Sequence, residues 1–355
     1  MISPLRRTTA AALAAVVLAL ATACTSSSGT GGRAAAPPAS ATASPSADRI
    51  RGIALPAWDV HDYDSPRAEP CLRQIAATGA RWVSFTPTWY QNGIHDPAMH
   101  TTGETADDAS LRRVIRLAHT AGLKVQLKPH VDLPGDLDRA EIRPTDPDAW
   151  FTAYTRFITH YARLAQRLGV QQLAVGTELA GTSRDRAHWR SVIAAVRADY
   201  RGPLTYAANY DEYRHIPFWD ALDLIGIDAY WPLADHPTSD VQRLRRAWRP
   251  IARELAAYSA RHHRRILFTE AGYVSQRGAT TAPYSWTISG HGGAAEQAAA
   301  YEALLAAFDG ERWWAGVNWW MWDDWPDSGE TPARLAYTPH GKPAEGVLRK
   351  WWTRN

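Results

Sequence analysis

Short apolar runs alternate with longer, helix-patterned segments from residue 50 onward. The runs are candidate strands: Gly52–Leu55, Trp82–Phe85, Lys124–Leu127, Gln172–Val175, Leu204–Ala207, Leu224–Ile227, Ile266–Thr269 and Gly316–Trp320. Runs of this kind, rich in β-branched residues, are typical of parallel strands that are buried on both faces of a sheet.

The segments between the runs have the apolar periodicity of amphipathic helices. They predict helices over Ala68–Thr78, Asp108–Thr120, Pro147–Leu168, Arg184–Tyr200, Ser239–His262, Ala294–Phe308 and Ala344–Trp352, with a short, weak helix over Tyr213–Asp220. Asp146 followed by Pro147 indicates a capped helix start. Gly169 lies where a helix should stop, because glycine adopts the left-handed conformation at little cost.

Eight strand–helix repeats predict a single closed (β/α)8 barrel over residues 49–355. The alternative is an open doubly wound sheet, which more often has a Gly-rich phosphate-binding loop after its first strand. Residues 52–66 contain no such loop, so the pattern favours the barrel.

The start of the chain has the pattern of a bacterial export signal. Arg6 and Arg7 precede the apolar segment Ala10–Ala21, which is too short for a permanent membrane helix. Small residues then lead into Cys24, an ending that resembles a lipobox, although Leu20 lies one place farther from the cysteine than usual. We therefore expect residues 1–24 to be a lipoprotein signal, with the protein anchored through Cys24 to the outer face of the cytoplasmic membrane. Ordinary secretion is the alternative.

Composition extends this picture. Residues 25–48 are mostly Ser, Thr, Gly, Ala and Pro, which predicts a flexible linker. Cys71 is the second of two cysteines, so lipidation of Cys24 would leave it without a disulfide partner. The net charge of +3 is small, and arginines are scattered among acidic residues, which argues against a nucleic-acid partner. We expect a monomer.

Seventeen tryptophans are many for a core of this size. The indole has a large apolar face and one N–H donor, which suits stacking on a sugar ring. Because cores also use tryptophan, the count alone is a moderate indication of sugar binding.

Two glutamates end predicted strands of the barrel. Glu178 follows the fourth apolar run and Glu270 follows the seventh. The active site of such a barrel lies at the carboxyl ends of its strands, so the two side chains can face each other. Cleavage of a glycosidic bond needs such a pair: one carboxyl protonates the departing oxygen, and the other attacks the anomeric carbon or activates water. The alternative is that each glutamate pairs with an arginine.

Seven motifs follow in order around the predicted barrel: Gly52–Ala54, Thr86–Gln91, Leu127–Asp132, Ala174–Leu179, Gly226–Tyr230, Leu267–Tyr273 and Trp319–Trp322. Together they resemble glycoside hydrolase family 113 of clan A, whose characterised members are endo-β-1,4-mannanases. The resemblance implies a cofactor-free retaining enzyme in which Glu178 is the general acid/base and Glu270 the nucleophile. Where most of the clan has Asn before the acid/base, this chain has Thr177, so Asn209 is a candidate for contact with the sugar 2-OH.

Other strand ends supply candidate binding groups. His130 and Lys128 can bond sugar hydroxyls, although an ion pair inside the barrel is an equal alternative for Lys128. Tyr230 can donate a hydrogen bond to the nucleophile, and Trp320 or Trp322 can form the floor under the cleaved sugar. Possible stacking platforms are Trp58, Trp89 and Trp231.

Several other functions find little support. Asp323, Asp324 and Asp327 do not have EF-hand spacing and are expected to form a polar lip of the cleft, so no metal site is predicted. The chain has neither an HExxH pair nor a G-x-S-x-G elbow. The remaining alternatives are hydrolysis of a glycan other than mannan (a glucan, a xylan, or a wall or capsular polysaccharide) and an inactive sugar-binding lipoprotein.

Overall fold

The structure, a computed structural model, describes residues 49–135, 137–323 and 332–354. Its strands are β1 Ile50–Ala54, β2 Trp82–Phe85, β3 Thr88–Tyr90, β4 Lys124–Leu127, β5 His130–Asp132, β6 Gln172–Thr177, β7 Leu204–Asn209, β8 Ile225–Asp228, β9 Ile266–Ala271 and β10 Trp314–Trp319. Eight of them form a closed barrel in the order β1-β10-β9-β8-β7-β6-β4-β2, and every pair is parallel. The predicted (β/α)8 barrel is confirmed.

The helices are α1 Ala68–Ala77, α2 Asp108–Thr120, α3 Pro147–Leu168, α4 Arg186–Asp199, α5 Val241–His262, α6 Ala294–Phe308 and α7 Pro343–Trp352. The Asp146 side chain accepts a hydrogen bond from the amide of Ala149, which caps α3 as predicted. Gly169 ends the same helix with φ +65°. The predicted and observed ends of α3 agree because both follow from its capping residues. By contrast, α4 and α5 each begin two residues later than predicted.

One predicted helix is wrong. The segment Tyr213–Asp220 contains two short 3-10 turns, Tyr213–His215 and Trp219–Ala221, in place of a helix. Pro217 lacks an amide donor and forces the residue before it into an extended conformation. Ile216 accordingly has φ −74° and ψ 115°, which interrupts the turn.

β3 and β5 form a separate two-stranded parallel sheet above the barrel. Neither strand was predicted, because three residues give too short a pattern. They extend the chain beyond β2 and β4 and place His130 and Asp132 close to the barrel mouth.

The barrel interior contains a layer of buried polar side chains. Gln126 accepts hydrogen bonds from Ser84 Oγ at 2.9 Å and from Asn318 Nδ2 at 2.8 Å, and it donates to Gln172. Gly52 lies opposite this layer, and a Cβ atom there would lie 1.7 Å from Asn318 Oδ1. Only glycine leaves room for the amide, which explains the glycine in the first strand.

Tryptophans fill much of the space between the barrel and its helices. Fully buried examples are Trp150, Trp189, Trp219, Trp248, Trp314, Trp319 and Trp322. Seven of the seventeen tryptophans therefore belong to the core.

Within residues 49–135, 137–323 and 332–354, no helix has the length and apolar character needed to cross a membrane. Cys24, the signal segment and the linker lie outside the described residues.

Candidate active site

A cleft of about 790 Å³ opens at the carboxyl ends of the barrel strands. Seven predicted site residues line it: Trp58, His130, Glu178, Asn209, Tyr230, Glu270 and Trp320. The predicted pair of carboxylates therefore faces one cleft, together with the aromatic and polar groups expected around it.

Glu270, in β9, is held from two sides. Lys128 Nζ donates to its Oε1, and the Tyr230 hydroxyl donates to its Oε2 at 2.6 Å. The residue as a whole is 5% exposed. Two donors on a buried carboxylate stabilise its ionised form, which is the form a nucleophile needs.

Lys128 does not line the cleft; it lies inside the barrel, between Glu270 and Asp228. Its Nζ is 3.1 Å from Asp228 Oδ2. Burial lowers the pKa of Lys128, but Asp228 and Glu270 outweigh burial and raise it above its ordinary value, so the amine stays cationic. The structure thus corrects the prediction that Lys128 binds sugar hydroxyls, and the ion-pair alternative applies.

Asp228 is fully buried on the far side of Lys128. Burial raises the pKa of Asp228 to about 7, against the opposing effect of Lys128. When it is ionised, Asp228 places a negative charge beside Lys128, beneath the cleft.

Glu178 follows β6 in the left-handed conformation, with φ +56°. Residues other than glycine rarely adopt this conformation, and surrounding contacts must hold them in it. The Glu178 amide donates to Ala207 O at 2.8 Å, and the next amide, of Leu179, donates to the Tyr206 hydroxyl at 2.9 Å. Tyr206 in turn donates to the buried carboxylate of Glu212 at 2.9 Å. Hydrogen bonds on both sides thus fix the Glu178 backbone.

The environment of the Glu178 carboxyl favours its protonated form. Burial raises its pKa well above the usual range, and the negative charge of Asp228 adds to this effect. Arg139, whose Nη1 lies 3.2 Å from Oε2, opposes the rise. Glu178 therefore keeps its proton to a higher pH than an exposed glutamate would.

Arg139 was not predicted as a site residue. It belongs to a 3-10 turn, Arg139–Glu141, and its Nη2 donates to Asp132 Oδ2 at 2.7 Å. Asp132 belongs to the motif Leu127–Asp132. Arg139 lies in a loop outside every motif, so nothing in the sequence around it indicated a site residue. The expected alternative of a glutamate–arginine pair is thus met at Glu178, but there the arginine also lines the cleft.

His130 is a neutral imidazole that faces the cleft. Burial, together with the cations Arg139 and Lys128, lowers its pKa well below the usual range. Its Nε2 is buried and has no hydrogen-bond partner among the described residues. The ring stacks near Trp320, with centroids 6.3 Å apart. Contact of His130 with a sugar hydroxyl stays a prediction.

Trp319, the last residue of β10, and Trp320, the residue after it, point in opposite directions, as expected. Trp320 lines the cleft, whereas Trp319 is fully buried and stacks on Tyr301 at 3.8 Å. Trp58 also lines the cleft and is 38% exposed.

Three predicted aromatic positions are corrected. Trp89 packs on Phe157 of α3, 5.4 Å between centroids, because β3 turns its side chain away from the cleft. Trp322 is fully buried on His340, since its amide donates to Ala54 O at 2.7 Å and draws the chain over the end of β1. Trp231 packs among core aromatics and does not line the cleft.

Asn209 lines the cleft at the end of β7, and its backbone N–H donates to Glu212 Oε2 at 2.9 Å. Thr177 is buried and does not line the cleft. Contact of Asn209 with a 2-OH stays a prediction. Asp324 and Asp327 lie outside the described residues, so the predicted acidic lip is not described beyond Asp323.

The cleft also contains aromatic residues that sequence reasoning missed: Tyr210, Tyr284, Trp286 and Tyr337. Tyr284 and Trp286 lie in the long loop between β9 and α6. An exposed aromatic pair in a polar loop is a weak indication of a binding site, but it could have been recognised in the sequence.

Solved structures were compared with this fold. A structure described as a complex of a GH113 β-1,4-mannanase is 28% identical, with a TM-score of 0.75, and the match covers 87% of this chain and all of that one. The β-mannanase AaManA from Alicyclobacillus acidocaldarius, in complex with ManMIm, is 30% identical, with a TM-score of 0.77 over 86% of this chain and 97% of that one. The β-glucuronidase of Ruminococcus gnavus, 13% identical with a TM-score of 0.57 over 86% of this chain and 50% of that one, shares the fold alone.

A search of curated proteins found no match. The sequence profile described as Glycoside Hydrolase Family 113 matches residues 58–342, which include both cleft glutamates. The match spans most of the chain and agrees with the fold and with the solved structures. This chain belongs to glycoside hydrolase family 113.

Proposed function

We propose that this enzyme hydrolyses β-1,4-linked mannan with retention of configuration, using Glu270 as nucleophile and Glu178 as general acid/base. One observation supports the roles above all: the two carboxyls share a cleft but have opposite environments. Lys128 and Tyr230 donate to Glu270, whereas burial beside Asp228 keeps a proton on Glu178. Mannan is proposed because two similar solved structures are β-mannanases.

In the first step an ionised Glu270 oxygen attacks the anomeric carbon, and the glycosidic carbon–oxygen bond breaks. The Glu178 proton passes to the departing oxygen, so the leaving chain is released as a neutral alcohol. Arg139 then stabilises the Glu178 carboxylate that this transfer creates.

In the second step Glu178 removes a proton from water, and the water oxygen attacks the same carbon. The bond to Glu270 breaks, which regenerates the Glu270 carboxylate and the protonated Glu178. Two inversions at one carbon give a product with the configuration of the substrate.

The test is an activity screen on mannan, glucan and xylan with wild type, Glu178→Gln and Glu270→Gln. We expect wild type to act on mannan. Loss of the general acid should cost about 10²–10⁴-fold, and aryl mannosides with good leaving groups should still be attacked by Glu178→Gln but not by Glu270→Gln. Glu302→Gln, on the outer helix α6, should behave as wild type. If every form binds sugar and none hydrolyses it, the proposed hydrolase activity is refuted. If wild type prefers another glycan, the proposal of mannan as substrate is refuted.

Attachment through Cys24 is part of the proposal, since a surface anchor would hold the enzyme where polysaccharide is met. We expect wild type in the membrane fraction and the Cys24→Ser variant in the medium or unprocessed. Equal distribution of the two forms would contradict the anchor. Elution as a single chain in size-exclusion chromatography would support the expected monomer.

A further inference from the structure

Cations surround the start of the first strand, at the end of the barrel opposite the cleft. Because the barrel strands are all parallel, the residues at their starts lie side by side at this end. The neighbouring strands β9, β10, β1, β2 and β4 each have a cation at or just before their start. With the end of α7 they form the cationic rim: Arg51, Arg81, Lys124, Arg265, Arg312 and Arg354.

Hydrogen bonds join neighbouring members of the cationic rim. The amide of Arg81 donates to Arg51 O at 2.8 Å, and the amide of Lys124 donates to Arg81 O at 2.9 Å. Arg51 Nη1 donates to Trp352 O, at the end of α7, at 2.8 Å. These cations therefore lie on one continuous surface.

Much of the positive charge of the rim is unpaired. Three of its members are exposed and have no carboxylate partner among the described residues: Arg81, Lys124 and Arg312. The nearby carboxylates have other contacts, since Asp309 lies 3.9 Å from Arg49 and Glu311 accepts from Trp313 Nε1 at 2.8 Å. Exposed cations without a partner attract an anionic surface.

The opposite end of the barrel has charge of the other sign. Arg139 is the cation among the described cleft residues, whereas the carboxyl residues there are Asp132, Asp138, Glu178, Asp211 and Glu270. Near an anionic surface, a molecule with this distribution turns its rim toward the surface and its cleft away.

Partly exposed tryptophans accompany the cations. Lys124 Nζ lies 5.6 Å from the centre of the Trp82 ring, and the Arg354 guanidinium lies 4.5 Å from that of Trp351. Trp313 is partly exposed as well. Tryptophan is enriched at membrane–water interfaces because its ring is apolar and its N–H is polar.

The covalent chain reaches the barrel in the middle of the rim. Arg49, the first described residue, immediately precedes β1, and β1 lies between β10 and β2. A lipid on Cys24 would be joined to this end of the barrel through residues 25–48. The lipid and the rim therefore act on the same end of the molecule.

We propose that the cationic rim docks on the anionic phospholipid surface of the membrane, which leaves the cleft facing away from the bilayer and open to polysaccharide. The inference rests on the proposed attachment through Cys24, which brings the barrel to the bilayer. An anionic surface attracts each basic residue that lies within about a Debye length of it. The lipid alone permits many orientations of the barrel, whereas the rim selects one.

The test is a footprint of arginine side chains with phenylglyoxal, read by mass spectrometry, on lipidated protein purified from membranes. The protein is placed on vesicles of phosphatidylcholine alone and on vesicles with equal parts of phosphatidylcholine and phosphatidylglycerol. Because the lipid holds it on both, the comparison isolates the effect of surface charge. We expect Arg81 and Arg312 to lose reactivity on the anionic vesicles alone, whereas Arg243 and Arg246, exposed on α5, react equally on both.

Two triple variants separate the rim from the net charge. The rim variant carries Arg81→Glu, Lys124→Glu and Arg312→Glu. The control makes the same change of charge on α5, with Arg243→Glu, Arg246→Glu and Arg253→Glu. In the rim variant the reactivity of Arg354 should no longer differ between the two vesicles, whereas the control should keep the wild-type difference.

Equal reactivity of Arg81 and Arg312 on the two vesicles would overturn the docking, and an equal effect of the two triple variants would overturn the rim as its cause. The wild-type footprint decides if the rim variant does not fold by circular dichroism. If wild type does not float with phosphatidylcholine vesicles, the Cys24 proposal fails separately. Flotation with the anionic vesicles then tests the rim: the rim variant should bind on the order of a hundredfold more weakly than the control, and equal binding would overturn the proposal.

Discussion

The Tyr230 hydroxyl donates a hydrogen bond to Glu270, the proposed nucleophile. In Tyr230→Phe, Glu270 loses a hydrogen bond of 2.6 Å in a buried site but keeps Lys128. A hydrogen bond to a charged group contributes about 1.5–3 kcal/mol. Because one pH unit corresponds to about 1.4 kcal/mol, the ionised form should need a pH higher by about one to two units.

The assay is the pH profile of kcat/KM, which reports the ionisation of the free enzyme. We expect the acid limb of Tyr230→Phe to move up by about one to two units, while the alkaline limb, which depends on Glu178, stays in place. Tyr273→Phe is the matched control, since the Tyr273 hydroxyl is buried with no hydrogen-bond partner among the described residues. An unchanged acid limb, or an equal shift in the control, would refute the reasoning.

Three further variants test neighbouring contacts. Lys128→Met leaves two buried carboxylates without their cation, so unfolding free energy at pH 7 should fall by about 3–5 kcal/mol; a deficit that does not shrink at acid pH would contradict this. Arg139→Met removes the charge that lowers the pKa of Glu178, so the alkaline limb of kcat/KM should move to higher pH; a downward shift would contradict it. Tyr206→Phe leaves Glu212 one donor short and frees the backbone beside Glu178, so activity should fall most on substrates with poor leaving groups; an equal loss on all leaving groups would refute that role.

The barrel was predictable because its signals are local and repeated. Each barrel strand has at least four residues and contains buried apolar side chains, and each major helix has a cap or a periodic face. The β3–β5 sheet was missed because three residues, such as Thr88–Tyr90, carry no readable period. The helix predicted over Tyr213–Asp220 does not form, because Pro217 forces the residue before it into an extended conformation.

The site residues that lie at strand ends could be predicted from the sequence. Glu178, Glu270 and Tyr230 come within three residues of the ends of predicted strands, so the barrel rule alone brings them to one cleft. Trp322 shows the limit: it lies two residues beyond Trp320, yet the chain turns after the strand and buries it.

Contacts between residues far apart in the chain could not be predicted from the sequence. Arg139 reaches Glu178 across 39 positions of sequence, and nothing in its own neighbourhood indicates that partner. Lys128 shows the same limit inside the barrel: its residue type fits a sugar ligand and an ion pair equally, and only the position of Asp228 decides between them.

The most direct test of the central claim is covalent trapping of the nucleophile. The enzyme is incubated with a 2-deoxy-2-fluoro-β-mannosyl fluoride, which slows breakdown of the glycosyl-enzyme, and the modified peptide is identified by mass spectrometry. The account predicts a fluorosugar bonded to Glu270 and none in Glu270→Gln. A label on Glu178 or another residue, or turnover that gives the inverted anomer with no label, would contradict it.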